Sequence, residues 1–181
     1  KNGANELAFE PIVASGPNSS KPHAVPTDRK IQSNDIILID MGCKYKGYCS
    51  DMTRTIFVGE VDEEIKNVYN LVLKNQKQTI GEMKEGAVCK NIAKMVVNDF
   101  LINGHDLIHG LGHSLGLEVH EIPNLGTKSE VILKPNMIIT DEPGIYIAGN
   151  FGIRIEDTVI IGKSTGVALT KSNKEITIIN G

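Results

Sequence analysis

The order of strand-like and helix-like segments predicts an α+β fold built on an antiparallel sheet, with the helices packed on one face of it. Three observations carry this. Two apolar strand–turn–strand segments, 36–59 and 137–161, lie on either side of the chain's middle. Two stretches with apolar residues at helical spacing lie between them. Each flanking hairpin also carries a pair of acids, Asp40 with Asp51 and Glu142 with Glu156. The length of 181 residues suits one domain, and a hydrophobic content of 40% is enough for a core.

Residues 7–15, LAFEPIVAS, read as the first strand. The segment 16–26 is rich in Gly, Pro, Asn and Ser and reads as a loop, which contains His23. The first acid hairpin follows. Its Ile-, Val-, Thr- and Tyr-rich runs are broken at Lys46-Gly47. A turn centred near Tyr45 and Lys46 places Asp40 opposite Asp51 on one face. Asp62 then looks like an N-cap, with Glu63 and Glu64 in the first turn. Ile65, Val68, Tyr69, Val72 and Gln76 recur at helical spacing, so residues 63–80 form a helix. Val88, Ile92, Ala93, Val96, Val97 and Phe100 mark a second helix, ending near Gly104.

In HGLGHSLGLEVHE, residues 109–121, the glycines argue against a regular helix and allow the backbone to approach a ligand closely. The run holds three of the chain's five histidines, His109, His113 and His120. A loop around Pro123 leads to the second acid hairpin. A centre at Gly149 brings Glu142 opposite Glu156. Residues 174–179 read as a last strand.

The acids carry the chemistry. Asp40 follows four apolar residues, Ile36 to Ile39, in what reads as a buried strand. A buried carboxylate without a partner costs several kcal/mol or takes up a proton. Any single acid is more often a surface group or a cap, and any single histidine a surface or satisfied core residue. Two acid pairs on two apolar hairpins, with His113 between them, point instead to bound divalent cations. Four carboxylates and one imidazole form a hard donor set that suits Mn²⁺, with Co²⁺ or Zn²⁺ as alternatives. Arg154, two residues before Glu156, lies on the same strand face. It either orients that carboxylate or makes an ordinary salt bridge.

A formal charge of −3, with no basic stripe, gives no reason to expect a nucleic-acid partner. No apolar run reaches membrane-spanning length, and no signal peptide is seen. Cys43, Cys49 and Cys89 lack metal-finger spacing and read as free thiols in a reducing, cytoplasmic compartment, although Cys43 and Cys49 could meet across the first hairpin.

Taken together, FEPIVASGPNSSKPHA, IDMGCKYKGYCSDMTRT, HGLGHSLGLEVHEIP, TDEPGIYI and GIRIEDT resemble the catalytic domain of the Xaa-Pro peptidases, the aminopeptidase P and prolidase group, over essentially the whole chain. Methionine aminopeptidases share the fold and the ligand types. GIYI, RIED and His109 four residues before His113 resemble the proline-specific branch better. The resemblance implies a pita-bread fold, a curved antiparallel sheet with helices on its outer face. It implies two metal ions bridged by Asp51 and Glu156, with Asp40 completing one site and His113 and Glu142 the other. His23, His109 and His120 would line the substrate pocket, with Tyr146 and Arg154 behind them. A hydroxide shared by the metals would attack the scissile carbonyl, with Glu142 as proton shuttle and His120 and His23 as donors to the oxyanion. The substrate would be a peptide with proline in second position, and the full-length enzyme a homodimer. Pseudo-symmetry of that fold implies two helix pairs, and one is legible here. The 181 residues are therefore expected to be one catalytic domain lacking its N-terminal helices, a fragment of a larger enzyme that exposes an apolar sheet patch. A methionine aminopeptidase and a non-catalytic peptide-binding module are the competing readings.

Overall fold

The computed structural model describes residues 3–180. It begins with two short strands, β1 (Glu6–Leu7) and β2 (Ile12–Ser15). The single strand expected over 7–15 is therefore broken. Pro11 has no N–H to donate to a ladder, and the chain changes sheets across it: β1 pairs with β4 (Cys43–Tyr45), β2 with β3 (Ile36–Met41). The expected loop starts with a 3-10 turn, Gly16–Ser20, closed by Ser19 and Ser20 hydroxyls that donate to the Gly16 and Pro17 carbonyls.

The first acid hairpin continues through β5 (Tyr48–Cys49) and β6 (Met52–Val58). Its turn differs from the expected one. Lys46 (φ 50°) and Gly47 (φ 86°) are both left-handed, as a two-residue hairpin turn requires, so Tyr45 pairs with Tyr48. Asp40 consequently faces Thr53, and Asp51 sits two residues further along, diagonal to Asp40. Cys49 pairs with Lys44, and Cys43, Cys49 and Cys89 are all free.

Helix α1 spans Glu63–Glu82 and α2 spans Cys89–Ile102. Asp62 occupies the N-cap position of α1 without a side-chain capping bond. The Gly-rich segment forms β7 (Gly112–Ser114), and the expected loop around Pro123 is instead a strand, β8 (Glu121–Leu125), with a cis bond at Ile122–Pro123. The second acid hairpin is β9 (Ile138–Asp141), β10 (Gly144–Ile147), β11 (Phe151–Arg154) and β12 (Asp157–Ile160). The ladders Asp141↔Asp157 and Gly144↔Arg154 share one register around Gly149, which sets Glu142 across from Glu156 as the sequence predicts. Two short strands, β13 (Val167–Ala168) and β14 (Ile178–Ile179), end the chain. The expected strand 174–179 is thus reduced to two residues, and β14 runs parallel to β6, so the sheet is not wholly antiparallel.

Among the described residues the strands form four sheets. Two of them carry the acid hairpins, in the orders β14-β6-β3-β2 and β13-β12-β9-β7-β8. Helix α1 packs on β9, β10 and β11, and α2 on β8. Val72, Val96, Phe100, Leu125, Ile139 and Ile153 fill the resulting core and are fully buried. No helix among the described residues is long and apolar enough to cross a membrane.

Candidate metal centre

The two acid hairpins meet at a cleft of about 740 Å³, lined by Asp40, Asp51, His113, Glu142 and Glu156 together with His23, His109, His120 and Arg154. Tyr146 is not in that lining and reaches the cleft through His109 and Arg154.

Asp51, His113 and Glu156 each present a ligand atom, and these atoms all lie within 4.8 Å of one another. His113 stands on β7 against β9, where its backbone N–H donates to Thr140 Oγ1 at 2.9 Å. Its Nδ1 is 3.1 Å from the Ser114 carbonyl, which can only accept, so Nδ1 carries the proton and Nε2 keeps its lone pair. That lone pair faces Asp51 Oδ2 at 3.6 Å and Glu142 Oε1 at 3.4 Å. Burial lowers the His113 pKa, so the neutral, metal-ligating form is favoured.

The cleft carboxylates outnumber the cationic side chains beside them. Burial, then the charges of Asp40 and Glu142, push Asp51 up to about 8. Burial is also the main cause that pushes Glu142 up to about 7 and Glu156 well above its ordinary value. Asp40, Asp51, Glu142 and Glu156 share one cleft-lining guanidinium, that of Arg154. Arg154 makes a salt bridge, to Asp40, and reaches Glu156 only indirectly. Its Nη2 donates to Asp40 Oδ2 at 2.6 Å, and its Nε to Thr53 Oγ1 at 3.0 Å. Thr53 in turn donates to Glu156 Oε2 at 2.7 Å, so the arginine reaches that carboxylate through a hydroxyl. The other Asp40 oxygen, Oδ1, is buried with no hydrogen-bond partner among the described residues.

The histidines differ in how firmly they are held. Tyr146 Oη accepts from Arg154 Nη1 at 2.7 Å and lies 3.1 Å from His109 Nε2. His109 Nδ1 is 2.8 Å from the Gly110 carbonyl. The consistent assignment puts the imidazole proton on Nδ1 and has the tyrosine donate to Nε2. Burial lowers the His109 pKa to about 4, which agrees with that neutral form. The His120 ring lies edge-on to His113, with centroids 4.3 Å apart. His23 is exposed at the cleft mouth, and the carbonyl of the preceding Pro22 accepts from Arg154 at 3.2 Å.

Three polar residues that pattern reading passed over belong to this architecture. Thr53 and Thr140 hold Glu156 and Glu142, the latter at 3.2 Å. Asp141 pairs with Asp157 on the opposite face of β9 and β12, fully buried and with neither oxygen bonded among the described residues. Burial, then Asp157, raises its pKa well above the usual value. Strand alternation explains its facing, since Thr140 and Glu142 turn to the cleft. The TDEP run alone does not say which acid does so.

The pattern of metallopeptidase family M24 matches residues 1–163. The chain belongs to this family. It is 43% identical over 178 residues to the Xaa-Pro dipeptidase of Pyrococcus furiosus, covering 97% of this chain and 51% of that protein. The crystal structure of a prolidase from Thermococcus sibiricus superposes with a TM-score of 0.95 at 42% identity, covering 98% of this chain and 49% of the other. An X-Pro aminopeptidase from Thermotoga maritima gives a TM-score of 0.94 at 37% identity, with coverages of 98% and 51%. The chain thus spans about half the length of these relatives and shares their pita-bread α+β fold. M24 membership implies divalent metal, and the residues present fit it. A compact Asp–His–Glu donor set, an orphaned buried carboxylate oxygen on Asp40 and acids short of positive charge all call for cations.

Proposed function

We propose that the chain is the catalytic domain of a dinuclear-metal peptidase that cleaves the Xaa-Pro bond at the N-terminus of peptides or in dipeptides. The observation that carries this is the convergence of Asp51, His113 and Glu156 to within 4.8 Å, with Glu142 beside them and Asp40 Oδ1 unpartnered. Asp51 and Glu156 would be shared by two ions, Asp40 would complete one site, and His113 with Glu142 the other. Mn²⁺ suits the oxygen-rich set best. When bound, such a pair supplies Lewis-acid charge and lowers the pKa of a coordinated water.

The remaining work falls to the chain's own side chains. Glu142, 3.4 Å from His113 Nε2 and held by Thr140, can take a proton from water and pass it to the leaving amine. His120 and His23 line the cleft from the side of β7 and of the first loop, where they can donate to the scissile carbonyl oxygen. His109, fixed by Tyr146, offers one wall for the proline ring. Arg154 holds Asp40 directly and Glu156 through Thr53. A bond to proline is a tertiary amide with no N–H. A site that docks an extended backbone through that donor cannot read it, whereas a pocket for the ring can. The three free thiols fit a cytoplasmic enzyme, and we expect the full-length protein to be a homodimer.

The test is hydrolysis by the full-length protein with added Mn²⁺. Xaa-Pro dipeptides, longer Xaa-Pro peptides and a Met-Ala peptide are compared. Cleavage of the proline substrates is expected, with loss of turnover in Asp51→Ala and Glu156→Ala. Preference for Met-Ala would transfer the chain to the methionine aminopeptidases. Near-normal turnover in either variant would defeat the ligand assignment.

A further inference from the structure

Asp51 immediately precedes β6 and Glu156 immediately precedes β12, and these strands belong to different sheets. No β-ladder therefore fixes the distance between them. A buried arginine bridges the gap. Arg54 is only 6% exposed and lies on the side of β6 away from Thr53 and the cleft. Its Nη1 donates to the Thr53 carbonyl at 2.8 Å and to the Glu156 carbonyl at 2.5 Å. Nη2 donates to Asp157 Oδ1 at 2.8 Å and to the Ser172 carbonyl at 3.0 Å, and Nε to the Asn173 carbonyl at 3.0 Å. All five guanidinium hydrogens are thereby used. Two further bonds close the same seam: Glu156 N–H donates to the Thr53 carbonyl at 3.1 Å, and Thr158 Oγ1 to the Asp51 carbonyl at 2.9 Å. The far side of Asp157 is held by Lys174 Nζ and by Gln76 Nε2.

A buried ion pair of this kind is a poor route to stability alone, because desolvation offsets most of the attraction. A planar fork that spans the Thr53 carbonyl on β6 and the Glu156 carbonyl just before β12 does something an apolar side chain cannot. It sets the spacing of the backbone on which the two carboxylates ride. We propose that Arg54 is a positioning residue that fixes the separation of Asp51 and Glu156, and through it the spacing of the two cations. This rests on the metal-centre reading above. Arg54 does not line the cleft.

Arg54→Lys and Arg54→Gln in the full-length protein test this, by Mn²⁺ titration calorimetry and electron paramagnetic resonance, with circular dichroism as the fold control. Wild-type protein is expected to take two ions and show a spin-coupled manganese pair. Both variants should keep their helical signal, bind the second ion about tenfold more weakly or worse, and show the spectrum of isolated ions. Arg54→Lys decides the matter if the glutamine variant does not fold. Lysine keeps the charge but has no planar fork to hold both carbonyls. A lysine variant with wild-type affinity for both ions and an unchanged coupled spectrum overturns the proposal, whatever its melting temperature. Wild-type protein that takes up no manganese sinks the metal-centre reading itself, and the Arg54 assignment with it.

Discussion

At the scale of single residues, the cleft is organised by which atom donates and which accepts. Arg154 can only donate, so Tyr146 Oη accepts from it and spends its own hydrogen on His109 Nε2. His109 is then neutral with its proton on Nδ1, and burial holds it there, at a pKa of about 4. In nuclear magnetic resonance titrations the His109 imidazole should stay neutral at pH 5.5 and titrate near 4. A midpoint at the ordinary 6.5 would contradict the hydrogen-bond chain. The acids and His113 were legible in the sequence because ionisable groups in apolar runs demand neutralisation. Thr53 and Thr140 were not, because a threonine in a strand is ordinary. The position of Arg154 two residues before Glu156 is legible, but its salt-bridge partner, Asp40, is not. The reach of a guanidinium across to Asp40 depends on how two hairpins pack, which spacing along one strand does not encode.

At the scale of elements, the helices and the second hairpin follow from local pattern. Apolar positions three and four apart define α1 and α2, and a left-handed Gly149 (φ 73°) sets the turn that opposes Glu142 and Glu156. The first hairpin turns one residue position away from the expected centre because Lys46 adopts a left-handed conformation, which few non-glycine residues do and which its identity does not announce. The break in the first strand has a local cause in Pro11, whereas the sheets that its two halves join, and the pairing that makes β8, depend on long-range contacts. The placement of His113 rests on Gly112, where an added Cβ would sit 1.9 Å from the Thr140 carbonyl oxygen. Gly112→Ala should force β7 away from β9, destabilise the protein by about 1–3 kcal/mol in urea unfolding, and weaken Mn²⁺ binding. Unchanged stability and affinity would show that β7 does not depend on this close approach.

At the scale of the whole molecule, gathering buried acids in one cleft costs stability wherever they are ionised. Asp51 and Glu142 have folded pKa values of about 8 and about 7, above the values near 4 of unfolded carboxyls. The folded state therefore binds more protons than the unfolded state between those limits. Its stability is fullest at acid pH and is lost as pH rises from about 4 through about 8. Bound cations reverse the preference, since they favour the carboxylate forms. Chelator should lower the melting temperature, and by more at pH 8 than at pH 5.5. A melting temperature that chelator leaves unmoved at both pH values would count against a carboxylate-held metal.

Two hairpins from separate sheets bring their acids into one cleft, where we propose that they hold a pair of cations. Anomalous diffraction at the manganese edge, from crystals grown with Mn²⁺, reads this out directly. Two peaks about 3.5–4 Å apart, both against Asp51 and Glu156, with Asp40 on one and His113 and Glu142 on the other, are the predicted result. No peak in the cleft, or ions held singly at sites that share no carboxylate, would contradict it.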